Sequence, residues 1–390
     1  MRRRPGSGTA FSHFRNPTRL VFGAGVLEEL EPFLPDGPVA IVTSSGSTAR
    51  GLTGRIAKLA GETRCVLIDN VSSNPGPIDI LRHLETLPPE VLSVVAAGGG
   101  SVMDTGKVLG ALHDARLRGR DGRRLREISQ GQAAIGEGET LPVLAVPTTA
   151  GTGSEVTPFA TVWDRERGQK KSVAGPGLYP STALVDPELT LSLPEGVTVA
   201  TGLDALSQGL EAWWNRNAGP VTDACALQAI RMALGSLERA VAAPDDLQYR
   251  SRMMEASLLA GLAISETRTA AAHSMSYPLT LHLGMPHGLA CSYTLPVLLR
   301  FNSDGPGRER IVELASALGH SSVEGLSSRI RDLLRTLGVR SRMERHGFDL
   351  GRIPALGPEM ITPGRAENNL RTMRAEQAVE IARLAWEELG

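Results

Sequence analysis

Cysteine and lysine are both scarce in this chain of 390 residues. Its three cysteines, Cys65, Cys225 and Cys291, are widely spaced, odd in number and form no CxxC pair, which argues against a disulfide framework or a structural zinc knuckle. A dominant charge is missing too. The net charge is −1 and the pI near 6.7, so no electrostatic reason exists to bind nucleic acid or an anionic membrane. No apolar run approaches the roughly eighteen residues of a membrane span. The basic stretch RRRPGSG is followed by no apolar segment, so no signal peptide is expected and the reading is a cytoplasmic protein. Lysine stands only at Lys58, Lys107, Lys170 and Lys171, and the last three lie in or beside the loops described below.

The length exceeds one ordinary core, so two domains are expected. The first half alternates short β-rich runs with helical patterns. RLVFG, VAIVTS, CVLIDN, VLSVVAA, PVLAVP, FATVW and TALVD read as strands, and GVLEELEPFL, STARGLTGRIAKLA, IDILRHLETL and SVMDTGKVLGALH as helices. Such alternation predicts a parallel sheet covered by helices. Residues 116–140 are polar and Gly-rich, an exposed excursion between two strands. After DPELTLSLP the β-rich runs nearly vanish, and long amphipathic patterns such as TDACALQAIRMALGSLERAV and RSRMMEASLLAGLAIS take over. A boundary near 187–195 divides an α/β domain, residues 1–190, from an all-helical one, residues 191–390.

Two loops have the chemistry of phosphate binding. VLSVVAAGGGSVMDTGK is strand, three glycines, then helix; glycines permit close backbone approach and a helix N-terminus offers free N–H groups. Ser101 is a good N-cap, with Asp104 three residues on as in a capping box. The loop is neither GxGxxG nor Walker A, and a simple Gly-rich turn fits it equally well. A second loop, PTTAGTGSE, follows the strand PVLAV and carries Thr148, Thr149, Thr152 and Ser154. Two such loops on one sheet face the same carboxyl edge, where α/β sheets bind nucleotides.

In TGLDALSQGLEAWW, Asp204 and Gln208 stand four apart, on one helix face. His273 and His287 bracket AHSMSYPLTLHLGMPHG, with His282 between them. Two imidazoles, a carboxylate and an amide oxygen suit a divalent first-row metal. A solvated Asp–Gln pair and satisfied histidines are the plain alternative, since spacing does not show that residues 204 and 273 meet.

FRNPTRLVFGAG, AAGGGSVMDTGK, PTTAGTGSEVTPFATV, LVDPELT, TGLDALSQGLEAW and AHSMSYPLTLHLGMPHG, in this order, resemble the iron-containing (group III) alcohol dehydrogenases, from about residue 14 to residue 300. The resemblance implies an N-terminal α/β dinucleotide-binding domain with a parallel sheet and an all-α C-terminal domain, with metal and active site in the cleft between them. It implies nucleotide contacts at Asn74, Gly98, Gly99, Gly100, Ser101, Thr148, Thr149, Thr152 and Lys171, and metal ligation by Asp204, Gln208, His273 and His287. Fe²⁺ is the metal expected, with Zn²⁺ an alternative. A homodimer is expected.

Three positions depart from the family pattern. Gln208 stands where His is usual. Tyr277 stands where a second His is usual, which leaves Tyr277 or His282 to handle the proton. Ser44 stands where an acidic residue would hold the adenosine ribose, so NADPH is expected to serve at least as well as NADH. The combination resembles most the branch that reduces phosphonoacetaldehyde to 2-hydroxyethylphosphonate in phosphonate biosynthesis. Arg268, with Lys171, is the candidate partner for a phosphonate. Reduction of plain short-chain aldehydes such as butanal, a metal-dependent lyase or cyclase on a related fold, and a binding protein without catalysis are the alternatives.

Overall fold

The computed structural model describes residues 13–119, 122–165 and 167–390; the stretch RRRPGSG lies outside them. Its strands are β1 (Arg19–Phe22), β2 (Val39–Val42), β3 (Cys65–Ile68), β4 (Ser93–Gly98), β5 (Val143–Pro147), β6 (Phe159–Asp164), β7 (Gln169–Ala174) and β8 (Thr182–Val185). Six of them form one parallel sheet in the order β1-β8-β5-β4-β2-β3. β2 and β4 are buried throughout, as expected of strands covered on both faces. Ala40 and Val42 join one apolar cluster, and Val39 and Ile41 the cluster on the opposite face. The chain leaves β2 and β4 toward opposite sides of the sheet, which opens a crevice at their carboxyl ends, beside Gly98–Ser101.

The covering helices are α1 (Ser45–Ala49), α2 (Leu52–Ala60), α3 (Pro77–Glu85), α4 (Gly100–Leu117) and α5 (Gly122–Ser129). Four details differ from the sequence reading. STARGLTGRIAKLA breaks into α1 and α2 at Gly51, whose φ of 80° no helix continues. GVLEELEPFL forms two 3₁₀ turns, Val26–Glu29 and Glu31–Phe33, because Pro32 has no N–H to extend a helix. The excursion over 116–140 contains α5. FATVW does not enter the sheet: as β6 it pairs antiparallel with β7, whose sequence QKKSVA carries no apolar run to betray a strand.

After Val185 no further strand occurs among the described residues. The helices α6 (Glu195–Trp213), α7 (Pro220–Ala242), α8 (Leu247–Thr267), α9 (Ala271–Leu283) and α10 (His287–Ser292) come first, and shorter ones continue to Glu388. They share one apolar cluster, to which Ala183 and Val185 of β8 also belong. Leu184 points the other way, into a cluster of the sheet, so β8 serves both halves by simple alternation. None of the described helices is long and apolar enough to cross a membrane.

Candidate active site

α6 is buried along most of its length, and the carboxylate of Asp204 and the amide of Gln208 lie one turn apart within it. Glu211, three residues further, completes the same face. α9 lies alongside and presents His273. Glu211 accepts from the His273 backbone N–H at 3.1 Å and hydrogen-bonds the ring Nδ1. That leaves Nε2 facing Asp204 Oδ1 at 3.3 Å. Burial would lower the His273 pKa, but the Glu211 charge and the hydrogen bonds the ring donates to Asp204 and Glu211 prevail and raise it to about 10.

His287 begins α10, which packs unusually close to α6. A Cβ on Gly288 would lie 1.7 Å from the Ala200 carbonyl oxygen, so only glycine admits this approach. The His287 ring sits 5.0 Å from that of His273, and its Nδ1 is 3.4 Å from the Ser276 hydroxyl. Burial, with Lys170 and His273 nearby, holds its pKa well below the ordinary value, and the imidazole is neutral. Gln208 donates through Nε2 to the Thr152 carbonyl at 3.3 Å, while its buried Oε1 has no partner. A carboxylate oxygen, an orphaned amide oxygen and two imidazole nitrogens therefore line one pocket, and the set fits a divalent cation. Cys291 is also near, its Sγ 3.8 Å from Asp204 Oδ1. It contacts Ser207 Oγ and the Gly288 carbonyl, and burial raises its pKa well above the ordinary value, so it packs behind the donors as a protonated thiol.

These four donors open into a cavity of about 610 Å³ that both halves line. The α/β half contributes Asn74, Gly100, Ser101, Asp104 and Thr152, the nucleotide loops expected from the sequence. The two loops touch, since a Cβ on Gly100 would meet the Thr152 side chain at 2.6 Å. Ser101 is not the N-cap: Gly99 holds that place, and Ser101 Oγ accepts from the Asn74 N–H at 3.1 Å. Asp104 closes no capping box; it accepts from Ser154 Oγ (2.6 Å) and the Thr161 N–H (2.7 Å). Gly98, Gly99, Thr148 and Thr149 lie just behind this lining, where Thr148 N–H donates to the Gly98 carbonyl at 3.0 Å. Ser44 stands apart, at the end of β2, and caps α1 by accepting from the Ser47 N–H.

The remaining expectations divide. Tyr277 lines the cavity, its ring stacked on His287 at 6.1 Å with Lys170 Nζ 4.0 Å from the ring centre. Burial would raise its phenol, but Lys170, Arg365 and His273 together lower it to about 8. His282 points to the surface and pairs with Glu359 at 2.8 Å, away from the cavity. Arg268 does not line the cavity either: its guanidinium lies over the Phe159 ring at 4.4 Å, where burial and the Arg365 charge lower its pKa to about 10. Lys171 is held by Asp164 at 3.6 Å. Its neighbour Lys170 faces the cavity instead, because successive residues of β7 point to opposite faces. Arg365 lines the cavity as well. Glu211 could have been found by its helical spacing from Asp204 and Gln208; Lys170 and Arg365 left no comparable signal.

Residues 17–187 match the iron-containing alcohol dehydrogenase family, and residues 198–386 match the C-terminal part of the Fe-containing alcohol dehydrogenase family. The chain belongs to the iron-containing alcohol dehydrogenases and is an oxidoreductase of that class. It is 34% identical over 323 residues to the NAD-dependent methanol dehydrogenase of Bacillus methanolicus, covering 81% of this chain and 82% of that one. It is 38% identical over 243 residues to the phosphonoacetaldehyde reductase of Streptomyces viridochromogenes, covering 62% and 60%. Among solved structures, the sulfoacetaldehyde reductase of Bifidobacterium kashiwanohense in complex with NAD+ superposes with a TM-score of 0.87 at 30% identity, covering 97% and 99%.

Proposed function

We propose that the chain reduces an aldehyde to a primary alcohol with NADPH or NADH, and that phosphonoacetaldehyde is its substrate. The observation that carries the reading is the orphaned Gln208 Oε1 beside Asp204, His273 and His287, in a cavity whose other wall is built from glycine-rich loops. Asp204, Gln208, His273 and His287 would hold the metal; Asn74, Gly98, Gly99, Gly100, Ser101, Thr148, Thr149 and Thr152 would shape the nucleotide site. When bound, the metal supplies Lewis-acid polarisation of the carbonyl and the nicotinamide supplies hydride.

The chain's own residues do the rest. Glu211 holds the His273 ring through Nδ1, so that Nε2 is the nitrogen turned toward Asp204 and would be the one to meet a metal. Tyr277, which lines the cavity and stacks on His287, would give the alcohol its proton. Ser44 removes the acidic repulsion that would exclude a 2′-phosphate, which supports use of NADPH. The substrate reading is supported by the phosphonoacetaldehyde reductase relative and by cationic residues along the cavity. Turnover of an aldehyde panel, with both coenzymes and metal-reconstituted protein, tests it. The largest kcat/KM is expected for phosphonoacetaldehyde; a preference for butanal would end the substrate assignment.

A further inference from the structure

The cavity wall beside Tyr277 holds two cations that the fold leaves without counter-charge. Among the described residues, neither Lys170 nor Arg365 has a carboxylate partner, whereas Lys171 has Asp164 and Arg342, also in the lining, has Glu195; Arg345 of the lining has no ion pair either but is exposed. Among the described residues Arg365 reaches the Gly364 carbonyl at 3.0 Å, the Ser172 hydroxyl at 3.4 Å and the Tyr277 phenol, none of them a carboxylate. Lys170 lies between aromatic rings, 4.0 Å from that of Tyr277 and 5.2 Å from that of Trp163. Rings hold a cation in place without cancelling its charge. Two half-buried positive charges without a carboxylate partner are a ready place for an anion to join them. Both stand against Tyr277, which stacks on His287, so the charge lies one side chain away from the metal donors.

We propose that Arg365, with Lys170 beside it, binds the anionic end of the substrate, a tetrahedral oxyanion carried one carbon from the aldehyde. The inference rests on the reductase reading above. A planar guanidinium matches two oxygens of such a group, and the lysine adds a point charge to a third. Arg268 has no part in it, since it does not line the cavity and its guanidinium lies over the Phe159 ring. Cationic walls also argue against quaternary ammonium alcohols as substrates.

The test compares phosphonoacetaldehyde, sulfoacetaldehyde and propanal in metal-reconstituted wild type, Arg365→Gln, Arg365→Lys and Arg268→Gln. Binding of methylphosphonate to the enzyme–coenzyme complex is followed by calorimetry. In Arg365→Gln the preference for either anionic aldehyde over propanal should fall about 30- to 300-fold, mostly through KM, and methylphosphonate binding should weaken in step. Arg365→Lys should recover part of both. Phosphonate selectivity lost in Arg268→Gln and kept in Arg365→Gln would overturn the proposal, as would coenzyme binding weakened as much as methylphosphonate binding. Wild type that reduces only propanal, yet binds methylphosphonate through Arg365, would defeat the substrate reading and leave the oxyanion site standing. No methylphosphonate binding to wild type would remove the site. A larger loss with sulfoacetaldehyde than with phosphonoacetaldehyde would point to sulfonate as the group read.

Discussion

Two buried charged clusters, one in each half of the molecule, differ in a way that separates structure from binding. In the α/β half, Lys107 donates to the carbonyls of Ser154 (2.9 Å), Thr157 (3.2 Å) and Phe159 (2.6 Å) and lies 3.7 Å from Asp104. Asp104 in turn accepts from Ser154 and Thr161. Burial lowers Lys107 to about 8 and raises the adjoining Glu155 to about 7, yet Lys107 Nζ and both Asp104 oxygens have hydrogen-bond partners. In the helical half, two carboxylates converge on one imidazole and an amide oxygen faces nothing. The closed knot suits a structural role, whereas the open donor set suits a cation that would complete it.

Breaking the open cluster should abolish function and spare the fold. His273→Ala is expected to lose its metal and at least about 10⁴-fold in kcat/KM, ~5 kcal/mol, with an unchanged circular dichroism spectrum. Full metal occupancy in both His273→Ala and His287→Ala, measured by elemental analysis, would dissolve the contrast. Breaking the closed cluster should do the reverse. Lys107→Met leaves Asp104 and three carbonyls without their cation and should cost about 3–5 kcal/mol of stability. Its unfolding midpoint should fall while metal stoichiometry in the folded protein holds.

Smaller changes sharpen the contrast. Glu211→Gln keeps all four donors but loses the group that orients His273, and metal affinity should weaken about 10- to 100-fold. Competition with a chelator reads this directly; an unaltered affinity would make Glu211 a bystander. Gln208→His should tighten the metal about tenfold, since imidazole is the stronger donor. Least of all, Ser44→Asp should shift coenzyme preference toward NADH by about tenfold, ~1.4 kcal/mol. A strong NADH preference already present in wild type would dispose of that expectation.

The sequence was readable where backbone pattern decides the outcome. The buried strands, the glycine loops and the helical spacing of Asp204 and Gln208 each carry a period or a residue type that can be read from the chain alone. It was opaque where a face had to be chosen without an apolar pattern. QKKSVA offers no alternation, so nothing told Lys170 from Lys171, and β7 itself went unread. Arg268 and His282 lie near the donors in sequence, yet the fold turns both side chains elsewhere, Arg268 after a φ of 63° that breaks α8 from α9. Arg365, by contrast, stands 78 residues beyond His287 in a segment without motif, and only tertiary folding brings it to the cavity.

The lysine doublet on β7 has one more consequence. Lys170 pairs across the hairpin with Trp163, and Lys171 with Val162. A slip of one position in this pairing exchanges the two faces, which ordinarily ruins a site. Here a one-residue shortening of the turn would bring Lys171 to the place opposite Trp163 that Lys170 holds, while a lengthening would bring Gln169 there. The positive charge delivered to this edge of the cavity therefore survives a change of turn length in one direction only, and either slip would draw Val173 out of the apolar cluster it fills.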